Sequence, residues 1–154
     1  MTDKDTQSTQ QPPQPYPGLK SLNKLVGTWN ISGPDIKGQV KFEWMEGGFF
    51  LMQHVDFVHG GRHITGVEII GYELPFGAEK PSENIKSHWF GNTGETFEYT
   101  YEVDDETLTI WGGEKGSPAY YKGKWSADGK TNSGAWVYPD GGGYESTMTR
   151  VEPK

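Results

Sequence analysis

From Leu25 to the end of the chain, large apolar side chains recur at every second position, and short breaks rich in Gly, Asp or Asn interrupt the alternation at regular intervals. A period of two is the signature of a strand with one buried and one solvated face. The candidate strands are 25–32, 37–46, 49–59, 62–72, 84–91, 95–103, 106–114, 119–127, 130–138 and 144–151. Gly47-Gly48, Gly60-Gly61, Asn92-Thr93-Gly94, Asp104-Asp105, Asp128-Gly129 and Asp140-Gly141-Gly142-Gly143 separate most of them and carry turn chemistry. Only the segment 73–83, with Pro75 and Pro81, is a long connection. Short strands joined by hairpins, with no crossover helix, predict an all-β fold: an up-and-down antiparallel meander closed into a barrel or folded as a sandwich.

Register sharpens the expectation. A two-residue turn at Gly47-Gly48 sets Trp44 opposite Leu51, Phe42 opposite Gln53 and Val40 opposite Val55. Another at Gly60-Gly61 sets Phe57 opposite Ile64 and Val55 opposite Gly66. Both hairpins then put Val40, Phe42, Trp44, Leu51, Val55, Phe57, Ile64, Ile70 and Tyr72 on one face. Lys41, Glu43, His54, Asp56, His63 and Thr65 fall on the other. A slip of one residue would invert every position, so the agreement is informative. The same reasoning pairs Tyr101 with Leu108 and Tyr99 with Ile110 across Asp104-Asp105, and Tyr121 with Trp136 and Trp125 with Asn132 across Asp128-Gly129. All four hairpins predict an interior lined with aromatic rings.

The 154-residue length fits one core. With 14% aromatic residues, that core draws on large rings more than on aliphatic chains. Residues 1–17 are Gln-, Thr- and Pro-rich and read as a disordered tail, which leaves 18–154 as a single domain. Pro17-Gly18 leads into 19–25, a short helical turn suited to plugging one barrel end. The absence of Cys excludes disulfides, thiolate metal sites and a Cys nucleophile. No apolar run is long enough to span a membrane. The polar stretch Met1–Gln11 does not read as a secretory signal, so a cytoplasmic location is the expectation. A net charge of −7 repels a phosphate backbone, and nucleic acid is not an expected partner.

Two ends of the chain resemble a known group. Gly27-Thr28-Trp29 is similar to the G-x-W element of lipocalin-like (calycin) barrels, in which the Trp closes the barrel floor under a basic residue from the last strand; Arg150 stands where that residue would be. LNKLVGTW at 22–29, WMEGGFF at 44–50, GVEIIGY at 66–72, the Trp89 strand and the closing segment from Trp136 to Arg150 resemble a mostly bacterial family of short lipocalin-like barrels whose function is uncharacterised. The resemblance implies a barrel of about ten strands with Trp29 and Arg150 as its structural closure. It implies no particular activity. A haem-binding barrel of the nitrobindin type would want a proximal His late in the chain, and no His follows residue 88.

Candidate chemistry is sparse. His54 and His63 share the outer face but lie opposite Val67 and Val58, His59 is an inner-face residue near a rim, and a zinc site would need three or four converging ligands. Neither a metal nor an organic cofactor is expected. No nucleophile elbow, phosphate loop or dinucleotide fingerprint occurs, and no catalytic residue is assigned. Gly112-Gly113-Glu114-Lys115-Gly116 lacks the following helix of a phosphate loop and reads as a turn.

Glu68 is the exception, because alternation turns it inward between Gly66 and Ile70. A buried carboxyl needs a partner, which Arg150, Arg62 or a tyrosine hydroxyl would supply, or else a wet cavity in which it acts with Gln53 as a polar anchor. The rings Trp44, Phe57, Trp89, Tyr99, Tyr101, Tyr121 and Trp136, together with Gln53 and Glu68, form the expected ligand-binding set. So many hydroxyl and N–H handles suit a lined cavity better than a dry core. A small amphipathic or hydrophobic molecule is the expected partner. Isomerase- or cyclase-type chemistry on Glu68 with Tyr99 or Tyr101 is one alternative. A homodimer built on outer-face Met45, Met52, Val67, Ile69 and Trp111 is the other.

Overall fold

The computed structural model describes residues 13–152. Ten antiparallel strands follow one another as β1 (Gly27–Gly33), β2 (Ile36–Trp44), β3 (Leu51–His59), β4 (Arg62–Gly71), β5 (Ile85–Gly91), β6 (Thr96–Val103), β7 (Thr107–Gly112), β8 (Tyr120–Trp125), β9 (Thr131–Val137) and β10 (Tyr144–Arg150). Each pairs with its neighbours in sequence, and β1 pairs with β10, so the meander shuts into a closed barrel with no free edge. A 3-10 helix, Pro17–Leu25, precedes β1 and buries Leu19, Leu22 and Leu25.

Three of the four expected registers hold: Trp44 pairs with Leu51, Phe57 with Ile64, and Tyr121 with Trp136. At Gly60-Gly61 both glycines have positive φ, as a two-residue hairpin turn of matching twist requires. At Gly47-Gly48 the register is kept but the loop is wider, because the Gly48 N–H closes a turn onto the Met45 carbonyl and the Met45 N–H bonds the Phe50 carbonyl. The fourth register is corrected. Tyr101 pairs with Ile110 and Val103 with Leu108, two residues away from the expected Tyr101–Leu108 and Tyr99–Ile110 pairs. Asp104 is the cause: its Oδ1 accepts from the N–H groups of Glu106 and Thr107, both at 2.8 Å, which moves the turn onto Asp105-Glu106. An even shift leaves every side chain on its expected face.

Odd-numbered hairpins and the 3-10 helix sit at opposite ends of the barrel, so it has a floor and a mouth. Trp29 closes the floor, fully buried, with its Nε1 donating to the Leu25 carbonyl at 2.7 Å. The Arg150 guanidinium carbon lies 4.3 Å from the centre of the Trp29 ring, while Nη1 donates to the Val26 carbonyl (2.6 Å) and Nη2 to that of Lys24 (3.0 Å). These bonds tie the helix, the first strand and the last strand together. The tail expected over 1–17 falls, for residues 1–12, outside the described residues. Its far end belongs to the barrel, because the Tyr16 ring packs edge-on against both Phe49 and Tyr72 at the floor.

Candidate functional site

Alternation directs one side of every strand inward, and from the mouth down to Leu25 of the 3-10 helix those side chains leave space between them. They enclose a cavity of about 490 Å³. Of the residues expected to line it, Gln53, Phe57, Glu68, Trp89, Tyr99, Tyr101, Tyr121 and Trp136 do so. Trp44 is a correction: it points inward, but at floor level, where its Nε1 donates to Asn23 Oδ1 of the 3-10 helix at 2.9 Å and it packs on the solid core. Tyr99, Tyr121 and Trp136 form a ring cluster on one wall, with centroids 5.7–6.0 Å apart.

Glu68 sits in this wall at 6% exposure. Gln53 is its direct cross-strand neighbour on β3, and Trp89 its neighbour on β5. Two hydroxyls donate to the same carboxyl oxygen, Oε2: Ser87 at 2.5 Å and Tyr101 at 2.8 Å. Neither Arg62 nor Arg150 reaches it, and no ion pair to Glu68 occurs among the described residues. Of the partners the sequence left open, the tyrosine hydroxyl is the one found. Burial pushes the Glu68 carboxyl above its ordinary value, outweighing the downward pull of the Ser87 and Tyr101 bonds. Burial, reinforced by the nearby Glu68 charge, likewise pushes the Tyr101 and Tyr99 hydroxyls up.

Ser87 is the site residue that sequence reasoning missed. The signal was present, since alternation from Trp89 and Ile85 turns this small polar residue inward on the strand beside Glu68. Arg62 and His59, paired across the end of the β3–β4 hairpin, line the mouth with Thr93 and Glu95. Glu95 is held by Thr93 and the Trp89 Nε1.

On the outer face, His54 and His63 each pair with a carboxylate, Glu43 and Asp56 respectively. Glu73, His88 and Glu98 are the group among the described residues able to hold a metal, with one ligand atom from each lying within 4.8 Å of the others. In this structure His88 Nε2 spends itself on Glu73, at 2.7 Å. Met52 and Ile69 stand side by side on the outer face, next to the Val67–Phe90 pair, and Phe90 is about half exposed. No helix among the described residues is long and apolar enough to cross a membrane. No protein-family model matches the chain, and no curated protein does either.

Proposed function

We propose that this protein binds a small, partly apolar molecule inside its barrel, and that it is kin to the lipocalin-like barrels its first and last strands resemble. The observation that carries the reading is the ring-lined space itself. Its volume of about 490 Å³ lies in the range of small-molecule sites, and its walls combine aromatic faces with a few convergent polar groups. A barrel of this size needs no such space to be stable, since side chains fill comparable barrels.

The test is titration with N-phenyl-1-naphthylamine, an apolar fluorophore, while following quenching of the tryptophans. Trp89 and Trp136 line the cavity, so occupancy should quench them saturably at one probe per chain. A linear, unsaturable response would refute the reading.

A second reading is acid–base chemistry of the isomerase type. The 2.8 Å bond from Tyr101 to Glu68 favours it, because it puts a hydroxyl and a carboxyl of raised pKa on the wall of the cavity.

A further inference from the structure

The hydrogen-bonding capacity left over around Glu68 is one-sided. Ser87 and Tyr101 both donate to Oε2, which leaves Oε1 on the cavity wall without a partner among the described residues. A carboxylic acid whose Oε2 already receives two hydrogens carries its own proton on Oε1, where it is a donor. Beside it, Gln53 lines the same cavity, and its amide makes no hydrogen bond to the protein among the described residues.

The charge balance is equally one-sided. The basic side chains lining the cavity are Arg62 and His59, both at the mouth end of the β3–β4 hairpin. Glu68 lies six positions along β4 from Arg62, about 20 Å at roughly 3.3 Å per residue. The remaining candidate, Arg150, is engaged with carbonyls and the Trp29 ring beneath the cavity floor. An anion lodged beside Glu68 would therefore be desolvated with no counter-charge, which is costly.

We propose that the molecule held in this barrel is a neutral carbonyl compound (an aryl ketone, quinone or lactone is the class) whose C=O oxygen accepts hydrogen bonds from Glu68 Oε1 and the Gln53 amide while its rings lie against Trp89, Tyr99 and Trp136. The inference rests on the binding reading above and narrows it. A carbonyl oxygen has two lone pairs and no hydrogen, so it fits two donors and gains nothing from a carboxylate. The upward push that burial gives the Glu68 carboxyl favours the protonated form such recognition needs.

Three naphthalenes that share a skeleton separate the outcomes, each measured by displacement of N-phenyl-1-naphthylamine. They are 2-ethylnaphthalene with no polar atom, 2-acetylnaphthalene with a carbonyl, and 2-naphthoate with an anionic head. The ketone should bind about 30-fold more tightly than the hydrocarbon, the worth of two net hydrogen bonds of about 1 kcal/mol each, and the naphthoate most weakly. Glu68→Leu should cut the ketone's advantage over 2-ethylnaphthalene to the roughly five-fold that the Gln53 amide alone supplies. Glu68→Gln, which restores an N–H donor and holds its shape, should keep most of the advantage. Raising the pH through the Glu68 pKa should remove the ketone's advantage in the wild type and not in Glu68→Gln.

If N-phenyl-1-naphthylamine itself does not bind, the hollow-binder reading falls and this inference with it. If it binds but the ketone gains nothing over the hydrocarbon, or the naphthoate binds best, the carbonyl assignment is overturned and the binder stands.

Discussion

Removing the Arg150 guanidinium should take away a large part of this barrel's stability, and the structure allows the loss to be sized. The side chain makes three interactions at once: a stack on Trp29 at 4.3 Å and bonds to the carbonyls of Val26 and Lys24. A partly desolvated cation–π contact contributes about 1 kcal/mol. Each hydrogen bond from a charged donor contributes about 1.5 kcal/mol, and removing it leaves a helix-end carbonyl short of its partner. Arg150→Met should therefore cost about 4 kcal/mol, against a total stability of roughly 5–15 kcal/mol for a domain of this size. In urea, with a slope of about 2 kcal/mol/M, the midpoint should fall by about 2 M at unchanged slope. Arg150→Lys keeps a cation over the indole but cannot fork to both carbonyls, so it should lose about half as much. Lys130→Met, which removes an exposed pair with Glu152, should stay within about 0.5 kcal/mol of wild type. An Arg150→Met midpoint within 0.5 M of wild type would refute the idea that this residue clamps the floor.

Two shorter predictions follow from the inner wall. Because the folded state raises the Glu68 pKa above its unfolded value, the contribution of Glu68 to stability should be fullest below the ordinary carboxylate range and be lost as pH rises from there through the folded pKa. Glu68→Gln should flatten that slope in urea midpoints measured across the window, and an unchanged slope would show that some other group sets it. Gly66 sits where a Cβ would collide with the Phe90 carbonyl oxygen and the Trp89 ring. Gly66→Ala should cost about 2 kcal/mol by overpacking and move Trp89, read as a changed emission maximum and weaker naphthylamine binding; a variant with native emission and affinity would sink the argument.

What the sequence disclosed, and what it hid, follows from the kind of information alternation carries. Parity assigns a side chain to a face, so Glu68, Tyr101 and Trp136 could be turned inward before any coordinates, and the two-residue error across Asp104-Asp105 displaced none of them. Height along the barrel is a different quantity. It depends on loop lengths and on what fills each end, and so Trp44, on the correct face, lies against Asn23 at the floor instead of in the cavity. The register error arose because Asp104 uses its own side chain to cap the turn, a choice that a pair of adjacent aspartates leaves open. The meeting of Glu73 with His88 and Glu98 was hidden for a related reason, since Glu73 lies just beyond β4, at the start of the one long connection, where no period applies.

The distribution of residue types along the barrel axis explains why stability and binding should separate experimentally. At the floor the packing is dense: Leu22, Leu51, Ile70 and the Trp29 ring are fully buried. Toward the mouth the inner positions pass to half-buried rings and polar groups, among them Phe57, Trp89, Tyr99, Trp136 and Tyr144, which leave space between them. The floor half therefore supplies most of the folding free energy and the mouth half the room for a guest. Changes at Arg150 should then move the urea midpoint and leave naphthylamine affinity intact, while Glu68→Leu should weaken carbonyl preference without touching the floor clamp. A variant of either residue that altered both properties to the same degree would mean that the two halves are coupled through the shared strands, and that the hollow upper half is part of what holds the barrel together.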